Sequence, residues 1–207
     1  TETYKRTTAT MSGSLISHDQ HLPSEVPGEL LSNGGVDDFG NPAYDTGSNA
    51  CGAVSGCAAA EALGVMGYSE CMNRFAELAS SYDYSPYSGI QPSNFAEIMT
   101  EILKGVANVD VVQAPSPEMG FATIATALDQ GSQVIVDYVG DNYVADGLPV
   151  IYGDGNTFAH FARVYRITDS NITIVNSIFT TSALSVDSPR SEFSQAWEYP
   201  EKRAGYG

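Results

Sequence analysis

Apolar residues recur at helical spacing through the middle of the chain. From Asn49 to Gly64 they occupy nearly all sides of the expected helix and are mostly small, which predicts a buried helix that neighbouring elements can approach closely. Three further helices are predicted, and glycines close the last two of them. They span residues 70–80, 93–104 and 117–130.

Strand patterns follow the helices. Two β-rich segments, at residues 109–113 and 133–139, precede a glycine-rich loop from Gly140 to Phe158. The segments His160 to Thr168 and Ile172 to Ile178 predict a hairpin that turns at residues 169–171, and a short helix is expected near Ser191 to Trp197. A helical half followed by a sheet half predicts an α+β fold.

The first 48 residues show no sustained period. They alternate Ser, Thr, Pro and Gly, which predicts an extended arm, over residues 1–48, that packs on a core formed by residues 49–207. A length of 207 residues suits one domain, so we expect a single domain overall.

The charge balance excludes several function classes. Nine basic residues against 25 acidic ones give a net charge of -16, which leaves no basic stripe for nucleic acid or anionic lipid. No apolar run approaches the ~20 residues that span a bilayer, so no membrane insertion is expected. Few lysines, abundant Ser, Thr and Tyr, and the triplet Asn171-Ile172-Thr173 favour a secreted or cell-envelope protein.

Cys51 begins the buried helix, where unpaired backbone N–H groups and the helix dipole stabilise a thiolate. Ser48 or Asn49 is available as a helix cap, and a small buried hydrophobe is the alternative interpretation of Cys51. Cys57 points to another face and is expected to serve packing. With Cys71 the cysteines are odd in number and lack zinc-site spacing, so at least one thiol is expected to be free.

His160 stands apart among the three histidines because it opens a strand beside the glycine-rich loop. On the partner strand of the predicted hairpin, Asn176 could hold the imidazole and fix its tautomer. Cys51, His160 and Asn176 then supply a nucleophile, a base and an orienting residue. The other two histidines, His18 and His21, lie in the arm and are expected to be solvent-exposed.

These residues carry a family resemblance. The helix from Asn49-Ala50-Cys51-Gly52 to Ala62-Leu63-Gly64 resembles the nucleophile helix of papain-fold peptidases related to the double-glycine leader peptidases of bacteriocin exporters. The resemblance covers about residues 49 to 200 and implies an α+β papain-like fold. Further matches are Gly89-Ile90-Gln91-Pro92-Ser93, Leu128-Asp129-Gln130-Gly131, His160-Phe161 and Ser191 to Trp197.

The resemblance implies a role for each matching residue. Cys51 would be the nucleophile, His160 the general base and later acid, and Asn176 the orienting residue, where the family more often has Asp. The family's oxyanion glutamine lies six residues before the cysteine, where this chain has Asp45, whose carboxylate would repel an oxyanion. Gln20, in Gln20-His21-Leu22-Pro23, resembles the donor of relatives with a longer spacing, and Asn49 is the alternative donor.

The resemblance therefore implies a cysteine peptidase that acts on a peptide or protein substrate without a cofactor. An acidic rim should attract basic or neutral peptides. The same residues would serve a transglutaminase-like acyltransferase, and the missing glutamine at position 45 favours a catalytically inactive peptide-binding module. Three aspartates of the glycine-rich loop, Asp141, Asp146 and Asp154, lack the spacing of a known calcium loop, so no metal is predicted.

Overall fold

The computed structural model describes residues 8–12, 18–20, 23–31, 35–36, 42–43, 49–86, 89–143, 149–150, 157–175, 177, 185–194 and 197. The chain forms two compact units. Ile16–Val111 is called here the helical unit, and Thr1–Leu15 together with Val112–Gly207 is called the sheet unit. The arm expected over residues 1–48 thus contributes to both units.

The four predicted long helices are confirmed. They are α1 (Cys51–Leu63), α2 (Tyr68–Leu78), α3 (Pro92–Ile102) and α4 (Pro117–Asp129). The strands of the described residues are β1 (Ala9–Thr10), β2 (Gly35–Val36), β3 (Pro42–Ala43), β4 (Ile135–Tyr143), β5 (Pro149–Val150), β6 (Thr157–Ile167), β7 (Asn171–Val175) and β8 (Ser185–Pro189).

In the helical unit, α1 is buried along its first ten residues. Its small side chains let α3 approach closely, because a Cβ built on Gly56 would lie 2.8 Å from Met99 Sδ. Gly64 ends α1 in the left-handed region, at φ +70°. The predicted buried helix of small residues is therefore confirmed, and it forms the centre of this unit.

In the sheet unit, five antiparallel strands follow the order β5-β4-β6-β7-β8, and β1 pairs with the end of β6. Helix α4 packs on one face of this sheet. The core on this face includes Tyr138 of β4 and Ala162 and Val164 of β6. Side chains alternate along a strand, so His160 lies on the same face as Ala162. The predicted hairpin of β6 and β7 is confirmed, with Ile167 opposite Ile172.

Two predictions about the second half are wrong in part. Residues 109–113 form no strand, and Val111 and Val112 are 73% and 63% exposed, because high β-propensity produces a strand only where a partner strand is present. The expected loop of residues 140–158 contains the end of β4, where Asp141 pairs with Val150 of β5. The short helix near the end is present at residues 190–194.

The fold class predicted from the sequence, α+β with helices and an antiparallel sheet, is the one observed. Within the described part of the chain, no helix combines the length and apolar character that crossing a membrane requires.

Candidate active site

Cys51 is the first residue of α1, and its side chain is largely buried, at 8% exposure. The first hydrogen bond of the helix runs from Val54 N–H to Ala50 O, at 2.9 Å. The N–H groups of Gly52 and Ala53 therefore precede the helical hydrogen-bond ladder and point toward the positive end of the helix dipole. This position favours the thiolate form of a cysteine over the thiol.

The chain just before Cys51 is held by contacts with Pro86 and Gly89. Asn49 Nδ2 donates to Pro86 O at 2.9 Å, and Ser85 and Gly89 exchange paired backbone hydrogen bonds. Gly89 has φ +78°, and a Cβ there would lie 3.2 Å from Asn49 O. The helix N-cap is Ala50, without a side-chain cap, so Asn49, one of the two candidate caps, does not cap α1 because its amide donates to Pro86 O instead. Ser48 lies outside the described residues.

Tyr84 lies close enough to Cys51 for the two side chains to interact electrostatically. Burial, and to a lesser extent a negative charge on Cys51, raises the pKa of Tyr84. The phenol therefore stays protonated and donates to Leu30 O at 2.7 Å, while its ring meets Phe75 edge-on at 6.0 Å. Tyr84 thus joins the segment before α1 to the helical core beside the candidate nucleophile.

Gln20 belongs to the helical unit, as Cys51 does, and is buried at 1% exposure. A fully buried amide is hydrogen-bonded as a rule, and such hydrogen bonds fix the orientation of the Gln20 side chain. Its role as the oxyanion donor remains a prediction. Asp45, at the position of the family's usual glutamine, lies outside the described residues.

His160 lies on β6 in the sheet unit and is buried at 3% exposure. It stands opposite Tyr138 of β4, and the two rings meet edge-to-face at 5.7 Å and 85°. Tyr138 in turn packs against Phe193 at 5.4 Å. The ring of Tyr138, supported by Phe193, therefore restricts the orientation of the imidazole. The sequence did not reveal this contact, since strand register sets which residue faces His160.

Asn176, the predicted orienting residue, lies outside the described residues. Its neighbours Val175 and Ser177 are both buried, at 3% exposure. Val175 ends β7 and pairs with Arg163, three residues beyond His160 on β6. Cys51 belongs to the helical unit and His160 to the sheet unit.

Cys57 and Cys71 lie on α1 and α2, and both are fully buried. Burial first, then a hydrogen bond with Cys71, raises the pKa of Cys57 well above its ordinary value. All three cysteines are free thiols. Cys57 is therefore a packing residue with little nucleophilic character near neutral pH, in contrast to the position of Cys51.

Two polar side chains were not anticipated. His18 is not solvent-exposed as predicted, because it lies between Glu25 and Glu61 with only 16% of its side chain exposed. Asp137, beside Tyr138 on β4, has a buried Oδ1 without a hydrogen-bond partner, and burial raises its pKa to about 7.

Across the described ranges, no group of three or more His, Cys, Asp or Glu residues is arranged to hold a metal ion.

Comparison with known proteins identifies a solved structure with a similar fold. No family model and no curated protein sequence matches the chain. A crystal structure from Bacillus anthracis, of a protein proposed to be a C39-like peptidase, is similar over 92% of each chain, with a TM-score of 0.51 and 12% sequence identity. The chain therefore has an α+β papain-like fold similar to that of this structure.

Proposed function

We propose that this protein is a cysteine peptidase in which Cys51, His160 and Asn176 form the catalytic triad. The observation that carries the proposal is Cys51 on the first turn of a buried helix, in a fold similar to that of a C39-like peptidase. His160, whose ring contacts Tyr138, supplies the general base. Its position in the sequence matches that of the base in the leader-peptidase-related family that the chain resembles.

In the first step, the Cys51 thiolate attacks the scissile carbonyl carbon and forms a tetrahedral oxyanion. N–H groups at the start of α1 and the amide of Gln20 donate hydrogen bonds to that oxyanion. The C–N bond then breaks, and the His160 imidazolium gives its proton to the leaving amine. The product of this step is a thioester of Cys51 and a free amine.

In the second step, neutral His160 takes a proton from water while the water oxygen attacks the thioester carbonyl. A second tetrahedral oxyanion collapses, the C–S bond breaks, and the acid product leaves. Cys51 and His160 return to the thiolate–imidazolium pair. Asn176 holds the imidazole tautomer through both steps.

The net charge of -16 bears on the substrate. A strongly acidic surface repels acidic peptides and raises the local concentration of basic ones, and salt weakens both effects. We therefore expect neutral or basic peptides to be cleaved faster than acidic ones at low ionic strength.

Incubation with a mixed peptide library in ¹⁸O water tests the proposal. We expect new peptide termini whose carboxyl groups carry the heavy oxygen, as mass spectrometry would show, because water resolves the thioester. The Cys51→Ala variant should leave the library intact, and Cys57→Ala is the matched control that should cleave like the native protein.

Two other results would redirect the assignment. Products that form only with an added amine would identify an acyltransferase instead of a hydrolase. Peptide binding without cleavage, equal in the native protein and in Cys51→Ala, would identify a peptide-binding module.

A further inference from the structure

The helical unit contains a polar cluster outside the proposed triad. It consists of His18, Glu25, Glu61 and Tyr68, and it is called here the His18 cluster. His18 Nδ1 lies 2.7 Å from Glu25 Oε2, and His18 Nε2 lies 2.8 Å from Glu61 Oε1. Each ring nitrogen therefore lies within hydrogen-bond distance of a carboxylate oxygen, one on the segment before α1 and one on α1 itself.

Tyr68 completes the cluster from α2. Its ring stacks on the His18 ring at 3.5 Å with an interplanar angle of 5°, and its hydroxyl donates to Glu25 O at 2.8 Å. Burial is the main cause of the raised pKa of Tyr68, so the hydroxyl remains a donor. The His18 ring is thus held at both nitrogens and on one face.

The cluster ties the segment that contains Gln20 to the helix that contains Cys51. Glu61 lies on α1, ten residues after Cys51, which corresponds to about 15 Å along the helix. Gln20 follows His18 by two residues, a chain span of at most about 7 Å. Gln20 is fully buried, so its segment has a fixed position in this unit.

We propose that His18 is a positioning residue, which through Glu61 and Glu25 holds the Gln20 amide in place for the oxyanion at Cys51. This inference rests on the proposed function, in which Gln20 donates to that oxyanion. His18 itself touches neither the substrate nor the reacting atoms. Its effect on catalysis therefore passes through Gln20 alone.

A double-mutant cycle between His18→Phe and Gln20→Ala tests the inference. Phenylalanine keeps a ring that can stack on Tyr68 and removes both nitrogens. We expect Gln20→Ala to lower kcat about 100-fold, and His18→Phe to lower it about 10-fold with little change in KM. In the Gln20→Ala background, His18→Phe should change kcat less than about twofold, because two variants that act through one group are not additive.

A second pair of variants keeps the test informative if His18→Phe folds poorly. Glu61→Gln retains an oxygen that accepts from His18 Nε2, whereas Glu61→Ala removes it. We expect Glu61→Gln to keep kcat within about twofold of the native value and Glu61→Ala to lower it like His18→Phe.

Alkylation of Cys51 by iodoacetamide separates failure of this inference from failure of the proposed function. Alkylation needs the thiolate but develops no carbonyl oxyanion, so His18→Phe should leave its rate unchanged. Additive losses in the cycle, or equal activity of Glu61→Ala and Glu61→Gln, would overturn the inference. Absence of an activated Cys51 in the native protein would instead overturn the proposed function.

Discussion

Replacing His160 by alanine should lower kcat/KM for peptide cleavage by about 10⁴-fold, and Cys51→Ala should lower it at least as much. Without the imidazole, Cys51 loses the cation that stabilises its thiolate, and the leaving amine loses its proton donor. The double variant should be no worse than the worse single variant, because nucleophile and base act as one unit. Steady-state kinetics on a peptide identified from the library provides the measurement.

The matched control for these losses is Cys57→Ala, six residues along the same helix. Cys57 is fully buried against Cys71, so this variant loses packing without touching the proposed triad. It should retain kcat/KM within about twofold of native, provided that it is folded. Retention of more than a tenth of the native activity by His160→Ala would contradict the assignment of the base.

Replacing Asp137 by asparagine should stabilise the sheet unit by on the order of 4 kcal/mol at pH 8 and by only about 1.6 kcal/mol at pH 5. Burial raises the pKa of Asp137 from its ordinary value of 3.8 to about 7, and Oδ1 has no hydrogen-bond partner. Ionisation above pH 7 therefore buries an uncompensated charge beside the strand pair that holds Tyr138 and His160.

The direction of the pH effect follows from proton binding. The folded state keeps the Asp137 proton up to about pH 7, whereas the unfolded chain releases it near 3.8. Between these values the folded state binds more protons, so the contribution of Asp137 to stability falls as the pH rises through this window. Asparagine cannot ionise, so the variant should lack this part of the pH dependence.

Urea unfolding followed by tryptophan fluorescence measures this difference. Trp197, the one tryptophan of the sequence, packs on Phe121 and Phe193 at 5.5 and 5.6 Å, so its emission reports on the sheet unit. Glu192→Gln is the control, since this exposed carboxylate lies in the same unit. If the difference in free energy of unfolding between the native protein and Asp137→Asn is the same at pH 5 and pH 8, Asp137 is already ionised in the folded protein at pH 5.

The helices were predictable from the sequence because their patterns are local. Small apolar residues from Cys51 to Leu63 define a buried helix without reference to the rest of the chain. The hairpin of β6 and β7 was predictable for the same reason, since its turn at residues 169–171 lies between two β-rich segments. Residues 109–113 looked like a strand because propensity carries no information about a partner.

The surroundings of the candidate site were less predictable because they depend on contacts distant in sequence. His18 meets Glu61 across 43 residues, and His160 meets Tyr138 through a register that neither strand specifies alone. Burial of Asp137 is likewise set by packing on the sheet and not by its neighbours in sequence. Cys51 and His160 could be selected beforehand because a cysteine at a helix start and a histidine at a strand start are local features.

The most direct test of the central claim is the rate of Cys51 alkylation by iodoacetamide from pH 5 to pH 9, in the native protein and in His160→Ala. Mass spectrometry assigns the modified cysteine, and buried Cys57 and Cys71 serve as internal references. We expect rapid labelling of Cys51 alone below pH 7, where an ordinary thiol with a pKa of about 8.5 reacts slowly, and loss of that reactivity in His160→Ala. Slow labelling of Cys51 with the pH profile of an ordinary thiol, unchanged in His160→Ala, would contradict the thiolate–imidazolium pair and with it the proposed peptidase.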